Sequence, residues 1–247
     1  MNKDPNFVNK HGESPLFKAK TAREVELLVS RGADVNAIRQ DGLNKTFGTT
    51  PLFRAATVEV QAALLAAGAN PNAIDEVGRT PLFSVAPDPA FTDNLIRAGA
   101  DVNWTDLSGL TPLHYAVCGH YPDIVGLLLV AGANINAVND EGKTPLVWAG
   151  EPLIAELLLL KGANPNLRDN QGRTALFLND DRVELTENDE ALARIFLAYG
   201  ADPFAKDNEG NLPSVQVAVE ARAACRREAL LAIATIPPTK DIARRAF

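Results

Sequence analysis

"TPLHYAVCGHYPDIVGLLLVAGANINAV", residues 111–138, is the stretch on which the reading of this chain turns. Its first eleven residues hold His114, Cys118 and His120 with Tyr115 and Tyr121, in a chain of 247 residues that has only three histidines and two cysteines. Alone, they pose a question of thiol or metal chemistry. The question changes once both ends of the stretch are found again elsewhere. The first end recurs as "SPLF" at 14–17, "TPLF" at 50–53 and 80–83, "TPLV" at 144–147 and "TALF" at 174–177. The second recurs as "RGADVNAI" at 31–38, "AGANPNAI" at 67–74, "AGADVNWT" at 98–105, "KGANPNLR" at 161–168 and "YGADPFAK" at 199–206. The two phrases alternate strictly, with steps of 36, 30, 31, 33 and 30 residues from one capping Ser or Thr to the next.

Each phrase carries a local structural instruction. Ser or Thr before Pro predicts a helix start, the hydroxyl accepting an orphan amide and the Pro taking the first helical position. The Leu that follows opens the buried stripe of a first helix. A second helix carries the next apolar set, Val25, Leu27 and Leu28 in one repeat and Ile124, Val125, Leu127 and Leu128 in another. Gly32, Gly68, Gly99, Gly132, Gly162 and Gly200 close that second helix, where a left-handed residue costs least as glycine. A later glycine (Gly48, Gly78, Gly109, Gly142, Gly172 or Gly210) then belongs to a projecting turn between repeats. No such unit buries its own apolar faces, so neighbours must stack.

These phrases closely resemble the ankyrin repeat, which is marked by T-P-L-H-x-A and a period of about 33 residues. The resemblance covers six repeats, from about Asn9 to Lys206, and a degenerate seventh follows in phase. It implies an all-α fold: an ankyrin-repeat solenoid of helix-turn-helix units with projecting hairpin-like turns, closed by a C-terminal capping repeat. The expected organisation is a single domain over 1–247, with repeats at approximately 9–38, 39–74, 75–105, 106–138, 139–168 and 169–206, a cap at 207–234 and a tail at 235–247. The resemblance also implies that His114 ties neighbouring repeats by hydrogen bonds. Phe17, Phe53, Phe83 and Phe177 replace it elsewhere and are expected to pack instead.

The array is irregular. From capping residue to closing glycine, repeat four spans 21 residues (Thr111–Gly132), repeats one, two and five span 18, repeat three spans 19 and repeat six spans 26. Three residues are most of a helical turn, or ~4.5 Å at 1.5 Å per residue. The first helix should therefore project further in repeat four than in repeats three and five. The surplus of repeat six, "LNDDRVELTENDE" at 178–190, reads as an acidic loop. Two ridges, at repeats four and six, are expected to flank a notch at repeat five. A further enlargement, "RQDGLNKTFGT" at 39–49, carries Lys45 and Phe47 on the tip between repeats one and two. Insertions in repeat arrays map to one face, often the binding face.

Bulk properties narrow the function. A formal charge of −7 and a pI near 5.1 argue against a nucleic-acid partner, which requires a basic footprint. The longest apolar runs, such as 152–160, fall far short of the ~20 residues of a membrane span. With two cysteines and no apolar leader at the start, the expected setting is the cytoplasm and the expected state a monomer. A zinc site needs about four ligands, and a Cys–His dyad needs an orienting group and an oxyanion site. The sequence supplies neither near residues 114–121, so no cofactor, metal or catalytic residue is assigned. Thiol or metal chemistry there stays the competing class.

Trp104 is conspicuous. Its position holds alanine in other repeats, at Ala37, Ala73 and Ala137, and Leu107 and Leu110 follow where other repeats carry polar residues. Trp is enriched in binding hot spots, so partner contact is favoured over the alternative that Trp104 folds back onto its own repeat. The expected function is a non-enzymatic protein-protein interaction module that uses turn tips and the concave inner-helix face. The candidate contacts are Phe47, Arg79, Trp104, Leu107, Leu110, Tyr115 and Tyr121, with Trp148 in the notch. Tyr121 is expected to stand on a protruding knob. Short-repeat arrays of this kind are similar to bacterial inhibitors or immunity proteins, or alternatively to effectors acting on a host protein.

Overall fold

The computed structural model describes residues 4–39, 48–84, 88–178 and 186–213, with 219, 220 and 223. The chain divides into two compact units, residues 1–164 and 165–247. Among the described residues every regular element is helical.

In the first unit, five nine-residue α-helices are the second helices of successive repeats: α1 (Ala22–Ser30), α2 (Val58–Ala66), α3 (Pro89–Arg97), α5 (Pro122–Val130) and α6 (Pro152–Leu160). Their starts follow from sequence. Thr21 and Thr57 accept the amides of Glu24 and Val60, Asp88 accepts that of Ala90, and Pro opens α3, α5 and α6. All six closing glycines hold positive φ, 89, 90, 87, 91, 96 and 85° in chain order. Each helix buries one face against the next in the order α1, α2, α3, α5, α6. The expected apolar set of α1 holds at Val25 but not at Leu27, which is 48% exposed. With Val25 central, a 3.6-residue period turns position 27 outward.

The first helices differ more from expectation. Among the described residues only repeat four forms an α-helix there, α4 (Pro112–Cys118). Repeats one, two, three and five close a single 3-10 turn over Pro15–Lys18, Pro51–Arg54, Pro81–Phe83 and Pro145–Trp148. The missing residues leave too little chain for i→i+4 bonding, so one i→i+3 turn survives. The Leu still does its expected work: Leu16, Leu52, Leu82, Leu113, Leu146 and Leu176 are all buried. The capping hydroxyls do not. The carbonyl of the capping residue closes the turn, as when Phe83 donates its amide to Thr80 O at 3.0 Å, while the hydroxyls of Ser14, Thr50, Thr80 and Thr174 are buried without a hydrogen-bond partner.

One set of side chains clips the repeats together, and a second shapes their tips. Asn36, Asn72 and Asn103 each donate Nδ2–H to the closing-glycine carbonyl of the following repeat (Gly68, Gly99, Gly132) and accept the amide two residues beyond it. Asn6 does the same toward Gly32 and Asp34, so residues 4–13 form a tip in the same register. At the described projecting turns one Asp or Asn carboxyl or amide oxygen accepts two backbone amides, as Asp106 does from Ser108 and Leu110. Adjacent tips are joined edge to edge: Leu107 donates to Val77 O and Asp140 to Ser108 O, both at 3.1 Å.

The second unit repeats these devices. Asn166 clips Gly200 and Asp202, and Asp207 organises the tip over 207–211. Its α7 (Glu187–Ala198) begins inside the stretch read as an acidic loop. Asp189, 2% exposed, is no solvated charge there: its carboxylate accepts the amide and hydroxyl of Thr186, which caps the helix.

Candidate functional site

The repeat-length irregularity has a local consequence within the first unit. α4 is seven residues long where the turns of repeats three and five hold three and four. The end of α4 and the link Gly119–Tyr121 therefore extend past the Phe83 and Trp148 turns. Between them lies a cavity of about 480 Å³. Leu110, Tyr115, Tyr121 and Trp148 line it, and so do Phe83 and Cys118. Four of the eight residues expected to contact a partner thus share one concavity.

Each wall is held by a nameable contact. Tyr115 packs edge-on against Phe83, ring centroids 5.2 Å apart and 77° between planes. Its hydroxyl donates to Asp106 Oδ2 at 3.0 Å. Burial first, and this bond to Asp106 second, push the Tyr115 phenol above its ordinary value, with Arg79 opposing. Arg79 itself is bidentate to Asp75 Oδ2, Nη2 at 2.8 Å and Nε at 3.0 Å. Burial is the largest single influence and works against its charge, but the bond to Asp75, that carboxylate's charge and Tyr115 together raise its pKa.

His114 forms the base. Its Nδ1 accepts the Thr111 amide at 3.1 Å and lies 2.9 Å from the Thr111 hydroxyl. An accepting Nδ1 requires the proton on Nε2, which then donates to Lys143 O at 3.1 Å, in the next repeat. Burial holds its pKa below the ordinary 6.5, so the ring is neutral at pH 7. With both nitrogens engaged, His114 is placed as a tie between repeats and not as a base or ligand. Among the described residues no group of three or more His, Cys, Asp or Glu could hold a metal ion.

Tyr121 stands on that extended link, but its half-buried ring folds back and does not project. The chain reverses at His120, which holds φ of 60°, and the Tyr121 ring then lies over Gly119. A Cβ at Gly119 would fall 2.5 Å from Tyr121 Cε2, so only glycine permits this wall. The His120 ring leans toward Gly150, and Cys118 exposes its thiol at the cavity. Trp104 is half-buried, its Nε1–H donating to Gly78 O at 2.8 Å on the preceding tip. Leu107 is 74% exposed and sits beside Val77, also exposed. Phe47 and Lys45 lie outside the described residues, as do Asp180, Asp181 and Glu184.

Phe83 and Cys118 were not among the expected contacts. The signal for Phe83 was in the sequence: it takes the histidine's place in a shortened repeat, directly before the full-length repeat four.

Comparison with known proteins agrees with this architecture. The model for ankyrin repeats (3 copies) matches residues 56–137 and 85–169. Protein phosphatase 1 regulatory subunit 27 of Homo sapiens is 45% identical over 51 residues, 21% of this chain and 33% of that protein. Protein fem-1 homolog C of Xenopus laevis is 38% identical over 64 residues, 25% of this chain and 10% of that protein. The match thus spans a third or less of either relative. Among solved structures, the ankyrin repeat domain of Bcl-3 aligns with a TM-score of 0.70 and 28% identity, covering 86% of this chain and 100% of that domain.

Proposed function

Because this chain is an ankyrin-repeat protein, we propose that it acts as a non-enzymatic binding module that occupies and blocks a protein partner, in the manner of an inhibitor or immunity protein, as a monomer in the cytoplasm. The observation that carries this reading is the open, apolar cavity on the inner-helix side, set in a scaffold whose repeats are tied to one another by side-chain bonds. A surface already fixed before contact loses little entropy on binding. The chemistry favours occupation over turnover, since His114 has both ring nitrogens engaged. A regulatory subunit is the kind of protein that one curated relative is named for; such a role needs a surface and no reaction.

Affinity capture from the native cell with cross-linking tests the reading. Cross-links from one protein, clustered on the tips at 75–79 and 106–110 and on the cavity wall, are expected. Stoichiometric bound metal, or a Cys118 thiol that alkylates far faster than a free thiol, would overturn it in favour of chemistry at residues 114–121. Leu107→Asp should weaken capture while leaving the urea midpoint unchanged. Trp104→Ala is the poorer probe, because its indole is bonded into the preceding tip.

A further inference from the structure

We infer that the cavity between repeats three, four and five receives one large apolar side chain of a partner segment whose flanking residues are basic. This rests on the protein-binding reading and adds the chemistry of what binds.

The apolar half follows from the walls. Phe83, Trp148, Tyr115, Tyr121 and Leu110 present ring and aliphatic surface around a volume within the ~300–1,000 Å³ typical of binding sites. The rings are preset by contacts internal to the fold: Tyr121 on Gly119, Tyr115 between Phe83 and Asp106. A side chain entering such a site displaces water without reordering the walls, which is how an anchor residue acquires most of an interface's energy.

The basic half follows from the rim. The tips at 75–79, 106–110 and 139–143 hold five acidic residues, Asp75, Glu76, Asp106, Asp140 and Glu141, against two basic ones, Arg79 and Lys143. Arg79 pairs with Asp75 and Lys143 with Glu141 at 2.7 Å, so each cation offsets one carboxylate and five acidic less two basic residues leave these tips a net charge of −3. Asp106 is tied to the cavity wall through the Tyr115 hydroxyl, and its charge acts on both Tyr115 and His114. Low-dielectric walls focus such a field outward. A second copy of this chain, itself at −7, is disfavoured as occupant on the same ground.

The test uses the full folded chain on an array of nine-residue peptides. The central residue is phenylalanine, tryptophan, leucine or alanine, and the flanks are arginine, serine or glutamate. Arginine-flanked aromatic or leucine peptides should bind at least about tenfold above their alanine counterparts, and glutamate flanks should abolish binding. They should also slow alkylation of Cys118. Cys118→Lys, at an exposed position, should lose the binding with its thermal melt unchanged, and Glu76→Lys with Glu141→Lys should weaken it and flatten its salt dependence. Equal binding of alanine-centred peptides, a preference for glutamate flanks, or no binding peptide at all would overturn the inference. So would concentration-dependent dimers that Cys118→Lys splits, which would assign the cavity to a second copy. If Cys118→Lys leaves capture of a native protein intact while Leu107→Asp removes it, the cavity assignment fails and the binding-module reading stands.

Discussion

At Thr80 and Thr111 the same residue begins the same phrase, yet the two hydroxyls meet different fates. Thr111 Oγ1 lies 2.9 Å from His114 Nδ1, whereas Thr80 Oγ1 is buried with no hydrogen-bond partner because Phe83 stands where the histidine would be. A buried hydroxyl left unpaired costs about 1–3 kcal/mol. Thr80→Val, which keeps shape and extended backbone, should therefore stabilise the protein by about 1 kcal/mol, while Thr111→Val should destabilise it by a similar amount. Urea denaturation of both variants checks this, and equal shifts of one sign would refute the pairing argument. His114 adds a pH dependence of definite sign. Its folded pKa lies below the unfolded 6.5, so its contribution is fully present above 6.5 and is lost as pH falls from there through the folded pKa, while the unfolded chain takes up a proton that the buried ring resists. The urea midpoint should decline between pH 7 and pH 5, and His114→Phe should lower stability at pH 7 by about 1–3 kcal/mol while removing that part of the decline.

α4 and the turn that follows it are where element length becomes surface shape. Gly119 and Tyr121 form a coupled pair, since a Cβ on Gly119 would strike the Tyr121 ring and approach Tyr115 O at 3.1 Å. Gly119→Ala should cost about 1–3 kcal/mol through displacement of the ring. In a Tyr121→Ala background the same change should cost far less, and a double-mutant cycle in urea should return a coupling above about 0.5 kcal/mol. Additive effects would mean that the ring does not rest on the glycine. Much of the element pattern was legible beforehand. The repeat phase located the closing glycines and the buried leucines, and the count from Thr111 to Gly132 against Thr144 to Gly162 singled out repeat four. What the spacing could not say was that "PLF" and "PLVW" would close 3-10 turns, because that choice depends on how much chain remains, not on propensity. Nor could it orient Tyr121. That follows from an absent Cβ two residues earlier, whereas repeat length alone placed the residue on a protruding knob. Asp189 misled for a related reason, as an acidic run is read as a loop until the capping partner, Thr186, is placed.

Across the array as a whole, the ties that matter pair residues about thirty apart, and only the assembled register reveals them. Asn103 shows how they act. It donates to Gly132 O at 3.1 Å and accepts from the Asn134 amide at 2.7 Å, so one side chain holds the end of repeat three to the end of repeat four. The position is exposed, and water can replace both bonds, so Asn103→Ala should cost only about 1 kcal/mol globally. Its distribution should nonetheless be uneven. Repeats contact only their neighbours, and stability is a sum of repeat and interface terms. Weakening one interface therefore promotes openings that include the repeats on both sides of it. In hydrogen exchange of the native protein, Ala116, Val117, Val125 and Leu128, all buried, should lie in the slowest-exchanging peptides. Asn103→Ala should accelerate exchange in peptides from both 88–100 and 111–130, and leave those of 14–30 near their original rates. Leu107→Asp, on an exposed tip, should leave the whole pattern unchanged. Acceleration confined to residues 101–105 would show that the asparagine clip is a local turn device; uniform acceleration would show that the described repeats open together and not by neighbours.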